Sequence, residues 1–544
     1  MNLRTWRVLG IGVAFFTLAV TGCTDTTVEP KSTISDANIF KDPASYLAFL
    51  AKLYGGLALT GQQGPNGQPD INGIDEGFSN YVRALWYSQE LPTDEAVLGW
   101  PDPGVPDLIS WRWDASNDFI KTVYYRVYFQ IQLINEFLRQ TTDAKLAERG
   151  HTAYQNQVHQ YRAEARFLRA LSYWHGMDAF GGIPIVTDAQ PLSAIPPAQN
   201  TRTEVYDFTV SELNAILNDL PDPTPATYGR ANKYAAEMLL ANVYLNAAVY
   251  TSTPHYDLAL AAAQDVIDNG GYALDTVVTF TVATPNPPLD PLNGAHVDTV
   301  RTLRVFLADN DQSREMIFPV TSDGTRTQTW GNTTFLIHAA CGGLWMDIRL
   351  YGTNGCWAGL RLKAQAYNMF AAGDVRARSF FKDSQTVAVT SVPDWYKGVA
   401  APKFYNRRAN GSQGSNSTHP DTDFPMFRLS EAYLIYAEAN ARGGFGNAGT
   451  ALNYVNALRT RAGVPTFGSL QVDSLLAERG RELRWEAKRR TDLIRFGLFT
   501  GGTYVWEWKG NVQAGASTDA HFNLYPFPAN ELIANPNLKQ NPGY

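Results

Sequence analysis

Cysteine, surplus positive charge and long apolar segments are all scarce in this chain. Only three of the 544 residues are cysteine. Lys and Arg number 45 against 52 Asp and Glu, a formal net charge of −7. This balance offers no basic stripe to neutralise phosphates, so the composition argues against a nucleic-acid-binding protein. After Gly22, no segment has the ~20 consecutive apolar residues of a membrane-spanning helix.

Motifs that carry catalysis or hold a cofactor are also missing. The eight histidines are scattered and show no zinc-ligand spacing. Neither a Gly-x-Ser-x-Gly elbow nor a phosphate-binding Gly-x-x-x-x-Gly-Lys occurs. Residues 70–76 carry the oxygen ligands of a calcium loop, but their glycine stands at the fourth place where an EF-hand has it at the sixth. We therefore predict no catalytic residue, no metal and no cofactor.

The N-terminus has the pattern of an export signal. Arg4 and Arg7 precede an apolar run at residues 8–20, which is too short to span a bilayer. The small residues before Cys23 resemble the lipobox of bacterial lipoproteins, which implies that Cys23 is diacylated and becomes the mature N-terminus. We predict a lipoprotein signal peptide at residues 1–22 and a polar, Pro-broken tether at 23–35.

The other two cysteines are predicted to pair. If Cys23 carries lipid, Cys341 and Cys356 remain in a chain exported to an oxidising space. A disulfide closing this short loop would contribute ~3 kcal/mol through the entropy of the denatured state. Two unpaired buried thiols are the alternative.

Apolar residues at helical spacing predict a mainly α fold. Helix pairs are expected near residues 162–220, 231–270 and 434–463, with alanine where the helices cross. Such pairs resemble tetratricopeptide units, although the period is not constant. We predict a single domain at residues 36–544, with tetratricopeptide-like helical pairs, long irregular loop insertions and an irregular ligand-binding region at about 275–425.

Aromatic residues are more numerous than a core requires, with 13 Trp, 27 Tyr and 27 Phe. Trp and Tyr combine a flat apolar face with a polar group, which suits binding to the C–H face of a sugar ring. Loop positions favour five residues as ligand contacts: Trp100, Trp330, Trp345, Tyr351 and Trp357. For each of these, structural packing is the alternative interpretation.

The charged run at residues 478–492 could be mistaken for an active site. Its Glu482→Glu486 and Glu486→Arg490 spacings are i, i+4, so we interpret the run as a structural ion-pair network on one helix.

Three segments together resemble one family. They are YRAEARFLRALSYW at residues 161–174, FRLSEAYLIYAEAN at 427–440 with ERGRELRWE at 478–486 and DLIRFG at 492–497, and the tail NPNLKQNPGY at 535–544. The combination resembles the SusD/RagB family of outer-membrane nutrient-binding lipoproteins, whose members include starch-binding SusD-like proteins. The resemblance implies a SusD-like α-superhelix anchored in the outer membrane and facing the cell exterior. It also implies a SusC-like TonB-dependent barrel transporter as partner and a glycan as ligand.

The leading hypothesis is a non-catalytic surface protein that binds oligosaccharide or polysaccharide and delivers it to the transporter. A peptide- or other nutrient-binding member of the same family is an alternative. A surface glycoside hydrolase is another, since paired carboxylates such as Asp94 and Glu95 are present. The last alternative is a protein-interaction scaffold, in which the loop tryptophans play no part.

Overall fold

The computed structural model describes residues 39–190, 195–284, 296–344, 346–381 and 384–544. The chain divides into a first unit, residues 1–45, and a second unit, residues 46–544. The predicted signal peptide, the tether and Cys23 lie outside the described residues. No helix in the described ranges is long and apolar enough to cross a membrane.

Helices dominate the structure, which confirms the predicted mainly α class. The α-helices are α1 (Ala44–Ala58), α2 (Tyr81–Glu90), α3 (Val105–Ser110), α4 (Asp118–Gln140), α5 (Asp143–Glu148), α6 (Gln155–Phe180), α7 (Arg202–Ile216), α8 (Lys233–Leu245), α9 (Ala247–Thr251), α10 (Tyr256–Asn269), α11 (Asn332–Ala339), α12 (Ile348–Tyr351), α13 (Ala364–Asn368), α14 (Leu429–Gly443), α15 (Ala448–Ala462), α16 (Val472–Glu482), α17 (Arg489–Arg495) and α18 (Ala529–Ala534). Short 3-10 helices lie at Thr152–Tyr154, Pro225–Thr227, Arg304–Phe306, Asn310–Gln312, Val375–Ala377, Lys509–Asn511 and Ala520–Asn523.

The long helices pack as successive pairs. Helix α4 packs on α6, α6 on α7, α8 on α10, α10 on α14, and α14 on α15. These helices carry many buried alanines, and small side chains let helix axes approach closely. Side-chain caps fix where several helices begin. Thr201, for example, forms a reciprocal capping box with Glu204 at the start of α7.

In the described ranges, three two-stranded antiparallel sheets join the helical scaffold to the intervening loops. Their strands are β1 (Ala96–Leu98), β2 (Val277–Thr284), β3 (His296–Leu303), β4 (Met316–Val320), β5 (Leu360–Leu362) and β6 (Phe424–Arg428). β1 pairs with β5, β2 with β3, and β4 with β6. Two of these pairings join segments far apart in the sequence, so they fix the long segment between residues 275 and 425 to the scaffold.

The charged run at 478–492 is not one helix, so the predicted i, i+4 pairing is wrong. Helix α16 ends at Glu482, and α17 begins only at Arg489. Between them Trp485 and Ala487 have positive φ angles of 61° and 59°, a left-handed conformation that no α-helix accommodates. The carboxylates of Glu482 and Glu486 instead meet partners from other elements.

Those partners surround Arg428, which is fully buried at the junction of β6 and α14. Its guanidinium lies 2.6 Å from the carboxylate of Glu315, 2.8 Å from that of Glu482 and 2.7 Å from that of Glu486. The network is structural, as expected, but tertiary contacts build it rather than helical periodicity.

A buried carboxyl beside β6 gives a pH-dependent contribution to stability. Asp423 Oδ2 accepts a hydrogen bond from Tyr228 at 2.6 Å, and Oδ1 accepts one from the Ser322 N–H at 2.7 Å. Burial raises the pKa of Asp423 to about 7. The folded chain therefore keeps this proton up to about pH 7, whereas the unfolded chain releases it near pH 4, so the contribution declines as pH rises between these values.

We expect the Asp423→Asn variant to gain stability relative to the wild type between pH 4 and pH 8, because asparagine has no proton to lose. The relative gain in the free energy of unfolding should reach up to about 4 kcal/mol. Urea unfolding at both pH values measures it. A difference between the two proteins that is independent of pH would contradict this account of Asp423.

Candidate functional site

Three of the tryptophans singled out in the sequence come together in the fold. The Trp357 ring centroid lies 5.9 Å from that of Trp100 and 6.0 Å from that of Trp330, with interplanar angles of 55° and 56°. All three residues are half-buried. We call Trp100, Trp330 and Trp357 the tryptophan cluster.

Trp357, the central member, is held by α11. Its backbone N–H donates to the His338 carbonyl at 2.7 Å, and its ring stacks on the His338 imidazole at 4.6 Å and 19°. His338 Nδ1 and Nε2 lie 2.7 and 2.9 Å from the carbonyl oxygens of Gly355 and Thr418. Burial lowers the pKa of His338, although the two carbonyl acceptors oppose the shift. The neutral imidazole carries one N–H and donates to one of these two carbonyls, which sets the ring orientation against Trp357.

Trp100 is positioned by the β1–β5 pair. The Gly99 N–H extends the pairing by donating to the Gly359 carbonyl at 3.0 Å. The indole Nε1 of Trp100 then donates to the Trp357 carbonyl at 3.2 Å. The ring lies so close to Gly359 that a Cβ there would be 2.5 Å from it. A glycine is therefore required at position 359 for Trp100 to lie beside Trp357.

We expect Gly359→Ala to displace the Trp100 indole, because a Cβ atom at 2.5 Å overlaps the ring. The near-ultraviolet circular dichroism, which reports the packing of the indoles, should change while the far-ultraviolet spectrum stays the same. Gly355→Ala is the matched control, since a Cβ at Gly355 meets nothing within 4 Å. Identical near-ultraviolet spectra for the two variants would contradict this role of Gly359.

Trp330 is held from the loop that precedes α2. Its Nε1 donates to the side-chain oxygen of Asn66 at 2.8 Å, and its ring lies 4.8 Å from that of His419. Arg83 Nη1 donates to the Trp330 carbonyl at 3.0 Å and to the Gly77 carbonyl at 3.2 Å. One guanidinium thus ties Trp330 to the loop that carries Asn66.

Polar groups border the cluster. Asn66 and Asn354 are exposed, and Asn354 Nδ2 donates to Thr418 Oγ1 at 2.7 Å. When the C–H face of a sugar lies on an indole ring, amide groups nearby can form hydrogen bonds with the hydroxyl groups at the edge of the sugar. No sequence pattern pointed to Asn66, Arg83 or His338, because their roles depend on neighbours distant in the chain.

A disulfide lies next to the cluster. Cys341 and Cys356 are bonded, with Cα atoms 5.1 Å apart, and Trp357 directly follows the second of them. The bond fixes the backbone before Trp357 to the end of α11. Trp345, inside the same loop, lies outside the described residues.

The structure does not place Tyr351 with the tryptophans. Its side chain is buried and stacks on Tyr405, with centroids 5.8 Å apart and an interplanar angle of 18°. The two tyrosines belong to a different cavity, which β3 also lines.

The carboxylates Asp94 and Glu95 are buried rather than presented to a cleft. Asp94 accepts hydrogen bonds from Arg489 and from Tyr504, both at 2.7 Å. Glu95 accepts from the Trp485 N–H at 3.1 Å. Neither residue is more than 1% exposed. Within the described part of the chain, no group of three or more His, Cys, Asp or Glu is arranged to hold a metal ion.

Comparison with known proteins identifies the family. Residues 346–544 match the SusD family model, and residues 103–245 match a model described as starch-binding associating with outer membrane. The starch-binding protein SusD of Bacteroides thetaiotaomicron is 33% identical, over 91% of this chain and 91% of its own. This chain belongs to the SusD family.

Solved structures show the same fold. A laminarin-binding SusD-like protein superposes with a TM-score of 0.67 at 19% identity, over 93% of this chain and 100% of its own. Surface glycan-binding protein A from Bacteroides uniformis superposes with a TM-score of 0.65 at 20% identity, over 92% and 99%. The predicted SusD-like, tetratricopeptide-like architecture is confirmed.

Proposed function

We propose that this SusD-family protein is a cell-surface glycan-binding lipoprotein that delivers its ligand to a SusC-like TonB-dependent barrel transporter. The observation that carries the glycan-binding part is the tryptophan cluster. The ring of Trp357 lies within 6.0 Å of those of Trp100 and Trp330, all three residues are half-buried, and two exposed asparagines accompany them. The rings of Trp100 and Trp330 are each tilted by about 55° to that of Trp357, an arrangement that suits stacking against successive sugars of a curved chain.

The comparisons support a glycan as ligand. The relative that is 33% identical is named as starch-binding, and structural neighbours are named as binding laminarin or surface glycan. We therefore propose a polysaccharide ligand and place starch-type α-glucan first among the candidates.

We propose that binding occurs without cleavage. Glycoside hydrolysis needs two carboxyl groups that flank the scissile bond. The pair available in the sequence, Asp94 and Glu95, is buried and engaged with Arg489, Tyr504 and the backbone of Trp485. This arrangement supports a structural role for both carboxylates, and the relatives are named as binding proteins. Release of shorter sugars from an α-glucan incubated with the protein would contradict the proposal.

The proposal also includes a lipid anchor on the protein and transfer of the bound glycan to the transporter. The lipobox-like sequence at Cys23 supports a lipid anchor, and the matched family model is described as associating with the outer membrane. A lipid chain plus a polar tether would hold the protein at the cell exterior without a membrane span. Radiolabelled palmitate incorporated by the wild type and not by Cys23→Ser tests the anchor. Co-purification of a TonB-dependent barrel with the tagged native protein tests the partner.

Affinity gel electrophoresis of the mature protein without its lipid, across a panel of polysaccharides, tests the ligand class. Retardation by starch and by no neutral β-linked glycan would support an α-glucan ligand of the tryptophan cluster. Retardation by another polysaccharide would still support glycan binding but would identify a ligand other than starch. If no polysaccharide retards the protein, a peptide or other nutrient becomes the better account.

A further inference from the structure

Two adjoining cavities, which share no lining residue with the tryptophan cluster, form a second pocket. The outer cavity has a volume of about 440 Å³ and is lined by β3, by Tyr351 and Tyr405, and by residues 378–381. The inner cavity, of about 40 Å³, shares Arg301, Ser379 and Tyr405 with it. We call the two together the β3 pocket. The outer part lies in the size range of small-molecule sites, and the inner part extends it by the space of a few atoms.

Aromatic rings form much of the wall of the β3 pocket. Tyr351 and Tyr405 stack on each other, while Phe380 and Phe381 are half-buried residues of the lining segment 378–381. The wall therefore offers flat apolar surface to a ring-shaped ligand, with the hydroxyl of Ser379 beside it.

Most cations of the inner cavity are already neutralised. Arg376 pairs with Glu478 at 2.7 Å, Arg461 with Glu315 at 2.5 Å and Lys403 with Glu486 at 2.5 Å. Within the described residues, Arg301 and Arg484 line the same space and have no ion-pair partner within 4.0 Å. Arg301 is exposed on β3, whereas Arg484 is only 3% exposed.

Arg484 is the buried arginine of these two. One of its nitrogens donates to the Ala401 carbonyl at 2.6 Å, and its guanidinium carbon lies 5.2 Å from the centre of the Phe380 ring. Burial lowers its pKa to about 10, so the group remains charged at neutral pH. Glu95 and Glu486 stabilise the charge from a distance, but neither forms an ion pair with Arg484 within 4.0 Å. A buried charge without a counter-ion in direct contact is costly, and an anion bound in the pocket would offset part of that cost.

We propose that the β3 pocket binds a carboxylate-bearing sugar, such as a uronic acid unit of a polysaccharide. The sugar ring would lie against Tyr405 and Phe380, and its carboxylate would face Arg301 and Arg484. The forked guanidinium matches a carboxylate in geometry as well as charge, which favours a uronate over a neutral sugar. The inference does not rest on the proposed function of the tryptophan cluster, because the two sites are lined by different residues.

Isothermal titration calorimetry with tetragalacturonate tests this proposal. The fully methyl-esterified tetrasaccharide is the matched neutral ligand, since it keeps the ring and linkage and removes only the charge. We expect the ester to bind at least about tenfold more weakly. We also expect the tetragalacturonate affinity to fall with added salt, as it should for a partly exposed ion pair. Equal affinity for acid and ester, or no binding of the acid, would overturn the proposal.

Variants locate the binding. Arg301→Ala should weaken tetragalacturonate binding by about tenfold or more, because it removes the exposed guanidinium of the pocket. Arg314→Ala, at an exposed arginine outside the pocket, is the matched control and should bind as the wild type does. Trp357→Ala should also leave this affinity unchanged, which separates the β3 pocket from the tryptophan cluster. If Trp357→Ala abolishes tetragalacturonate binding and Arg301→Ala does not, the acid binds at the cluster and the proposal is wrong.

The buried arginine provides a second, independent check. Arg484→Met keeps an unbranched apolar side chain, and removal of an unpaired buried charge should leave the melting temperature equal to or above that of the wild type. The same variant should lose tetragalacturonate affinity. A folded Arg484→Met protein that binds the acid as tightly as the wild type would remove Arg484 from the site. A tighter affinity of the wild type for a matched sulfated tetrasaccharide would overturn the assignment to carboxylates.

Discussion

Trp357→Ala should reduce the affinity for the protein's glycan by at least about 30-fold, or about 2 kcal/mol. Trp357 is the middle ring of the cluster and lies within 6.0 Å of both neighbouring indoles. Its removal takes away one stacking face and also leaves the Trp100 and Trp330 rings without lateral support. Isothermal titration calorimetry with maltoheptaose, or with an oligosaccharide of whichever glycan retards the protein, measures the loss.

A second tryptophan supplies the control for that measurement. Trp508 is also half-buried, but its Nε1 donates to the Val389 carbonyl at 2.8 Å, and it takes no part in the cluster. Trp508→Ala should therefore retain the wild-type affinity. Equal losses in Trp508→Ala and Trp357→Ala would indicate a general loss of structure and would contradict a specific role of the cluster.

Arg428→Met should lower the free energy of unfolding by about 3–5 kcal/mol. The guanidinium of Arg428 is the shared partner of Glu315, Glu482 and Glu486, and all four side chains are buried. Without it, three carboxylates remain close together in a low-dielectric interior with fewer compensating charges. Urea unfolding followed by circular dichroism measures the change.

An exposed arginine provides the comparison. Arg112 lies 3.2 Å from Asp107, and both side chains are more than a third exposed. Arg112→Met should change the free energy of unfolding by less than about 1 kcal/mol, because water and salt screen such pairs. Equal effects of Arg112→Met and Arg428→Met would contradict the view that the buried network holds β6 and α14 to the segment after α16.

Local pattern was sufficient to predict the helical scaffold. The alanine-rich segment at 231–250 forms α8 and α9, and the charged and apolar periodicity around residues 434–455 forms α14 and α15. Helix periodicity depends on residues that are close together in the chain, so a single sequence is enough to show it. The break after Glu482 was not predictable in this way, because the left-handed conformations of Trp485 and Ala487 occur in residues that seldom adopt them.

The candidate site could be predicted only in part. Composition and loop position pointed to Trp100, Trp330 and Trp357, which lie as far as 257 residues apart in the sequence yet meet in space. The same reasoning selected Tyr351, which the fold buries against Tyr405. Loop aromatics look alike in a sequence, and only the tertiary pairing of β1 with β5 decides which of them converge.

A crystal structure of the mature protein bound to maltoheptaose would show directly where the glycan binds. We expect sugar rings stacked on the indoles of Trp100, Trp330 and Trp357, with hydroxyl groups hydrogen-bonded to Asn66 or Asn354. Oligosaccharide bound elsewhere on the protein, with the tryptophan cluster open to solvent, would contradict it.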